Sequence, residues 1–231
     1  MFAGITSTED AKRAYRPLRD VVTVPRLTLG ANTSAVLATD PKLLLFTLSK
    51  YKFAAKMLEG LRIIELGCMD ATGTLLLHSM VSEVVALDFY HPHVEDCLSI
   101  QSQGYLPRAR FLHRDILDHQ PDLVGQFGGC VSFDVLEHLD PSHTELFFSR
   151  ASSLLSKHGT FICGIPSLQS QAYASEINRQ AHINCMEFEQ LIQHARAVFA
   201  NVYPFGLNDE VVHTGFHPMC QYNIVVCNGI I

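Results

Sequence analysis

The 231-residue chain has no tryptophan, and only 17% of its residues carry charge. Its 17 Lys and Arg against 23 Asp and Glu leave a formal net charge of −6, and the basic residues are scattered. No basic stripe is present to neutralise a phosphate backbone or an anionic lipid surface, so neither a nucleic-acid nor a membrane partner is expected. Long apolar runs are missing as well: stretches such as 43–46 and 84–87 fall far short of the roughly 18 to 20 residues that span a bilayer. Residues 1–10 carry two acids before the first lysine and lack the basic-then-apolar order of a secretory signal, which makes the cytoplasm the expected compartment. The seven cysteines are odd in number and none sits in a CxxC pair, which argues against a disulfide framework. They read as reduced, buried thiols that behave as small hydrophobes.

What is present is a chain with 48% hydrophobic residues, enough for one sizeable core and too short for a second full domain. Residues 1–38 are polar and weakly periodic, and read as an arm or lid with one short helix; residues 39–231 read as the domain itself. Asp40-Pro41 supplies an N-cap followed by proline at the first helical position, and apolar residues recur at helical spacing over 43–58 until Gly60 stops them. Short apolar segments then alternate with helical ones: strands at 62–66, 84–87, 109–112, 130–133 and 160–164, and two more near 202–205 and 222–227. The Asp140-Pro141 cap starts a helix to about 155, Gly159 closes the turn into the next strand, and helical stretches follow near 171–179 and 186–198. Alternation of this kind predicts an α/β fold, a Rossmann-like doubly wound sheet of seven strands, mostly parallel and covered on both faces.

The first strand runs into Glu65-Leu66-Gly67-Cys68-Met69-Asp70-Ala71-Thr72-Gly73 and then directly into a helix. In an open α/β sheet ligands bind beyond the carboxyl ends of the strands, and small residues in this first turn admit a cofactor close to the backbone. The second strand ends in Asp88, about 20 residues past the turn, where an acid accepts from the two hydroxyls of a ribose. The third ends in His113-Arg114-Asp115-Ile116, placing a further carboxylate at the same edge, within reach of an adenine amino group. Together these strand ends point to a nucleoside cofactor. The competing reading makes Asp88 a helix cap before Pro92 and Asp115 the cap of a turn.

The fourth strand ends Phe133-Asp134-Val135-Leu136-Glu137-His138-Leu139, and here the chain resembles the class I S-adenosylmethionine-dependent methyltransferases, especially the ubiquinone-biosynthesis O-methyltransferase branch. Glu65-Leu66-Gly67-Cys68 is similar to that family's first motif, Asp88 to its strand-two acid, and Asp134-Val135-Leu136-Glu137-His138 to its D-V-x-E-H motif. Tyr51-Lys52-Phe53, Pro166-Ser167-Leu168, His182-Ile183-Asn184-Cys185 and the segment 208–215 resemble methyltransferases of bacterial surface-polysaccharide gene clusters. The resemblance implies S-adenosyl-L-methionine as cofactor and an antiparallel last strand. It also implies cofactor contacts from Tyr51, Glu65, Gly67, Cys68, Met69, Gly73, Asp88, Phe89, Asp115, Ile116 and Asp134. The chain departs from the family at Met69 and Ala71, where glycine is usual.

Methyl transfer to a hydroxyl requires a held nucleophile and a base for its proton, a task suited to histidine near neutral pH. The expected catalytic residues are His138, after the fourth strand, with His182 and His213 among the polar groups Asn184, Asn208, Asp209 and Glu210 of the later loops. The alternative for 208–213 is an ordinary hairpin turn. Glu137, His138, His182 and His213 are a conceivable set for a divalent ion, but no pair has compact ligand spacing, and no metal is expected. The expected function is a methyltransferase, monomeric or homodimeric, acting on an oxygen or nitrogen of a sugar or secondary metabolite. The rival readings are a cofactor-binding assembly module, kept open by Met69, and a nicotinamide-dependent oxidoreductase, which would want GxGxxG where Gly67-Cys68-Met69-Asp70-Ala71-Thr72 stands.

Overall fold

The computed structural model describes residues 7–15 and 26–231; the remainder of the 1–38 arm lies outside the described residues. Among the described residues of the arm are α1 (Thr8–Tyr15) and α2 (Ala31–Thr39), two helices where one was expected. Asp40 then accepts from the Leu43 N–H at 3.4 Å and Pro41 takes the first helical position, so α3 (Pro41–Met57) starts where the cap signal placed it.

Five strands follow in parallel: β1 (Arg62–Leu66), β2 (Glu83–Asp88), β3 (Ala109–His113), β4 (Phe127–Phe133) and β5 (Leu155–Pro166). Between them lie α4 (Thr72–Met80), α5 (His91–Ser102) and α6 (Thr144–Leu154). After β5 come α7 (Glu176–Ala181), α8 (Phe188–Arg196), β6 (Phe199–Asn208), β7 (Val211–His213) and β8 (Tyr222–Ile230). The sheet order is β3-β2-β1-β4-β5-β8-β6-β7, with β8 antiparallel to both β5 and β6. Eight strands are therefore described where seven were expected. The extra one is β7, paired to β6 across a two-residue turn in which Asp209 takes a left-handed φ of 51°.

Successive side chains of a strand face opposite sides of a sheet, and the two hydrophobic clusters follow that alternation. Ile64, Val85, Phe161 and Phe199 pack against Phe147 and Phe148 of α6 and Leu191 of α8. Ile63, Val84, Val131 and Ile162 pack against Tyr51 and Leu58 beside α3, Leu77 of α4 and Val94 of α5. Both faces are thus covered, as a largely parallel sheet requires.

The connection into β5 differs from the sequence expectation. A short 3-10 turn, Pro141–His143, capped by Asp140 on the Ser142 N–H at 2.9 Å, precedes α6, and β5 begins directly at Leu155. Gly159 lies inside the strand beside a register shift against β4, where a Cβ would stand 2.9 Å from Leu155 Cβ and 3.0 Å from the Phe127 carbonyl. It serves close strand packing rather than a turn.

Candidate active site

The carboxyl edge of β1 and β2 is knitted by its own backbone. The N–H groups of Gly67 and Cys68 both donate to the Leu87 carbonyl, at 2.8 and 3.1 Å, and the Met69 N–H donates to Asp88 Oδ2 at 2.9 Å. Gly67 has φ +80°, and a Cβ there would lie 2.3 Å from Val135 Cγ2, so only glycine fits between β1 and the loop after β4. Met69 and Ala71 also occupy left-handed backbone, at φ 47° and 66°. These are the two positions where the resembled family has glycine, and the chain keeps the glycine-type turn at a cost of about 1 to 2 kcal/mol for each non-glycine residue. Cys68 turns its side chain into the core, 3.9 Å from Cys97 Sγ, and contributes only backbone to the turn.

Asp88 is 7% exposed and well supplied with donors. Besides Met69 it accepts from the Tyr90 N–H at 2.9 Å and sits 3.3 Å from His93 Nδ1. The other ring nitrogen, His93 Nε2, faces the Asn32 amide nitrogen at 3.0 Å, which must donate, so Nδ1 carries the proton and donates to Asp88. Asp88 accordingly both orders the entry to α5 and holds the β1 turn, and Oδ2 keeps a lone pair for an outside donor. Asp115 accepts from the Leu117 N–H at 2.8 Å, which makes it the cap of a turn, and retains its second oxygen. It lines a cavity of about 440 Å³ beyond the ends of β2 and β3, with Phe89, His113 and Arg114. Ile116 faces away and packs against the α6 side of the core.

Beneath the turn, Glu65 is buried; its Oε2 accepts from Thr74 Oγ1 at 2.5 Å and its Oε1 has no partner. Burial pushes its pKa up to about 7, against the lowering effect of the Thr74 and Tyr51 hydroxyls. Tyr51 is buried edge-on against Phe133, with centroids 5.1 Å apart, and burial together with the Glu65 charge holds its hydroxyl well above the ordinary range. Its ring fills the space over Gly73, where a Cβ would lie 2.1 Å from two ring carbons. The Tyr51 ring therefore requires glycine at position 73.

Three further residues, Asp70, Lys50 and Tyr222, complete this edge, and none of them is among the site residues expected from the sequence. Asp70, fully buried, accepts from the Thr33 N–H at 2.6 Å and the Thr33 hydroxyl at 2.7 Å, which clasps the arm onto the turn. Lys50, buried at 1%, forms an ion pair with Asp134, and its Nζ stands 4.2 Å from the centroid of the Tyr222 ring. Tyr222 accepts the Asp134 N–H on its hydroxyl at 3.1 Å. Asp134 itself has φ 56°, which turns the chain sharply at the end of β4. The one sign of Lys50 in the sequence is that it interrupts the apolar stripe of Phe46 and Ala54 on α3 and Leu58 just past its end.

Past Asp134, residues 136–138 form a 3-10 turn that buries Glu137 and leaves His138 exposed. The loop after α7 is tied to it: the Asn184 N–H donates to the Glu137 carbonyl at 3.0 Å, and Asn184 Nδ2 donates to the Leu136 carbonyl at 3.2 Å. His182 is thereby brought beside His138, ring centroids 5.0 Å apart. Burial, then the neighbouring His138, lowers the His182 pKa. His213 does not join them. Its Nε2 lies 2.7 Å from Asn208 Oδ1 and its Nδ1 accepts from the Gly215 N–H at 2.9 Å, so both ring nitrogens are taken up within the β6–β7 hairpin and neither is free as a base.

This fold is that of the class I S-adenosylmethionine-dependent methyltransferases. A methyltransferase-domain family model matches residues 64–163, the segment from β1 to β5 that carries the turn, Asp88, Asp115 and Asp134. An S-adenosylmethionine-dependent methyltransferase of Thermotoga maritima superposes with a TM-score of 0.64 at 14% identity, covering 86% of this chain and 94% of its own. Geranyl diphosphate methyltransferase in complex with SAM superposes at 0.62, 15% identical, over 88% and 97% of the two chains. The DhpI–SAH complex superposes at 0.61, 14% identical, over 85% and 90%. No curated protein sequence matches the chain significantly. Among the described residues no helix is long and apolar enough to cross a membrane.

Proposed function

We propose that the chain is an S-adenosylmethionine-dependent methyltransferase that methylates an oxygen or nitrogen of a small molecule such as a sugar or secondary metabolite. The observation that carries this reading is the bond from the Met69 N–H to Asp88, which locks the left-handed turn after β1 against the acid ending β2. The residues present fit the cofactor. Asp88 and Asp115 retain acceptor sites for ribose and adenine donors, and Phe89, exposed beside Asp115, offers a flat apolar face to the base. Glu65 has an unpaired buried oxygen below the turn, suited to the ammonium of the methionine moiety. When bound, the cofactor supplies an electrophilic methyl group. The chain's part is to exclude water, hold the acceptor in line and receive its proton, and the paired rings of His138 and His182 stand at the end of β4 for that purpose.

The arm, residues 1–38, acts in this reading as a lid. Thr33 is fastened to Asp70 in the cofactor turn, the Ala31 N–H donates to Asp96 at 3.1 Å, and Asn32 sets the tautomer of the His93 ring that touches Asp88. The resemblance to ubiquinone-biosynthesis and surface-polysaccharide enzymes supports a polar hydroxylated acceptor.

Calorimetric titration of the purified chain with S-adenosylmethionine and, separately, NADH tests the cofactor. The expected result is binding of the first alone, weakened in Asp88→Ala by about 1.5 to 3 kcal/mol, the worth of a hydrogen bond to a charged group. A folded protein that ignores S-adenosylmethionine at millimolar concentration is not a methyltransferase of this kind.

A further inference from the structure

We propose that Cys68 and Cys97 form a redox-modification site, at which a hydroperoxide converts the pair to a reversible intramolecular disulfide that distorts the turn after β1. The two sulfurs stand 3.9 Å apart, close to van der Waals contact. Both side chains are buried, Cys68 in the turn and Cys97 on α5 between Val94 and Ile100. Neither is engaged in a disulfide, and neither thiol has a part in the chemistry proposed above.

The pair bears directly on the backbone of the turn. The Cys97 thiol donates to the Met69 carbonyl at 3.2 Å, while the Met69 N–H donates to Asp88 at 2.9 Å, so Met69 is held through both of its backbone polar groups. With its proton spent on that carbonyl, Cys97 turns sulfur lone pairs toward the Cys68 thiol. A disulfide holds its sulfurs about 2 Å apart, so oxidation closes the gap by roughly 2 Å and removes the donor that grips Met69. Little slack exists to absorb the movement. The buried Val94 and Ile100 anchor α5 in the core, and Gly67 is pinned against Val135. Met69 and Ala71 already occupy left-handed backbone. The displacement therefore falls on Met69, and its N–H leaves Asp88.

The reaction consumes one hydroperoxide. One cysteine, as thiolate, attacks the peroxide and breaks its O–O bond, giving a sulfenic acid and a molecule of water or alcohol. The second thiol then attacks the sulfenic sulfur, forming the S–S bond and expelling water. Two thiols are oxidised, the peroxide is reduced, and a thiol reductant reverses the step by exchange. The hydrogen bond with Cys97, and then burial, hold the Cys68 thiol well above its ordinary range, so the closed turn is unreactive and oxidation proceeds when the turn opens. A cofactor seated on the turn keeps it closed, so the empty chain is oxidised and the loaded chain is protected. Only this coupling to the cofactor rests on the methyltransferase reading; the disulfide itself does not.

The test is treatment of the folded full chain with hydrogen peroxide, with and without S-adenosylmethionine, followed by alkylation of the remaining thiols and peptide mass spectrometry. A cross-linked pair of peptides carrying Cys68 and Cys97 is expected, lost on treatment with dithiothreitol and slower to form when S-adenosylmethionine is present. In the oxidised chain, hydrogen exchange over residues 67–71 should quicken and affinity for S-adenosylmethionine should fall by about 10-fold or more, as the loss of one hydrogen bond to a charged group implies. Cys97→Ser, which keeps a donor for the Met69 carbonyl, should lose no affinity on the same treatment, whereas Cys185→Ser should form the link as wild type does. No link between Cys68 and Cys97 in the folded wild type would overturn the proposal. So would a link that leaves exchange over 67–71 unchanged, or that leaves the affinity of a cofactor-binding chain unchanged. A link with quickened exchange, in a chain whose reduced form fails to bind S-adenosylmethionine, would leave the site standing and remove the methyltransferase reading instead.

Discussion

Glu65 illustrates how a single side chain is tuned by where its strand ends. It is an acid on a strand buried on both faces, and burial outweighs the Thr74 and Tyr51 hydroxyls that favour its charged form, so its pKa rises from 4.5 to about 7. An unfolded chain releases this proton near pH 4.5, whereas the folded one keeps it to about pH 7. Below the lower value the residue contributes nothing to pH dependence. Between the two values the folded state binds more protons, so stability falls as pH rises, and above pH 7 the full penalty of about 3 kcal/mol applies. Glu65→Gln, which carries no charge, should therefore match wild type near pH 4.5 and exceed it by about 3 kcal/mol at pH 8 in denaturant unfolding. An equal gap at both pH values would show that Glu65 titrates normally. The same residue scale explains Asp88 and Asp115: the cap role and the ligand role, set against each other in the sequence, are both open to one carboxylate because it has four acceptor sites.

At the scale of elements, the join of β1 to α4 is shaped as much by α3 as by any ligand. Gly73 lies on the first turn of α4, where alanine would ordinarily stabilise the helix by up to about 1 kcal/mol. The Tyr51 ring, held edge-on by Phe133, occupies the space a Cβ would need. Gly73→Ala should accordingly destabilise by about 1 to 3 kcal/mol through overpacking, and in a Tyr51→Ala background the same change should become neutral or stabilising. A double-mutant cycle measured by urea unfolding reads this directly; additive effects would mean that Tyr51 yields without strain. The β6–β7 hairpin shows the converse, an element made by one residue. Asp209 at positive φ turns the chain within two residues, and the resulting strand draws His213 into a local network away from His138.

At the scale of the whole molecule, the described part of the arm is tied by polar contacts to the β1–α4 turn and to α5. Asp70 is fully buried and receives two of its donors from Thr33. Thr33→Val keeps the shape and removes the hydroxyl donor, leaving a buried carboxylate short of a partner. Limited proteolysis should then cut within residues 1–39 several times faster than in wild type, with the region from α3 onward left intact. S-adenosylmethionine should slow that cleavage in wild type if the arm closes over the bound cofactor. Unchanged cleavage in the variant would show that Thr33 does not fasten the arm.

The sequence by itself determined what depends on neighbours along the chain. The alternation of short apolar segments with helical ones marked the parallel strands β1 to β5, Asp40-Pro41 marked the start of α3, and the strand-end residues Glu65, Gly67, Asp88, Asp115 and Asp134 fell at one edge because parallel strands share their polarity. Tertiary structure alone decided what depends on residues far apart in sequence. It paired Lys50 with Asp134, 84 positions away, and fastened Thr33 to Asp70 across 37. It also assigned Gly73 to Tyr51, and joined His182 to Glu137 and His138 while setting His213 apart. Local propensity and periodicity carry no information about such meetings, because a buried ion pair or a histidine pair is stabilised only after the chain has closed the long loops between its members.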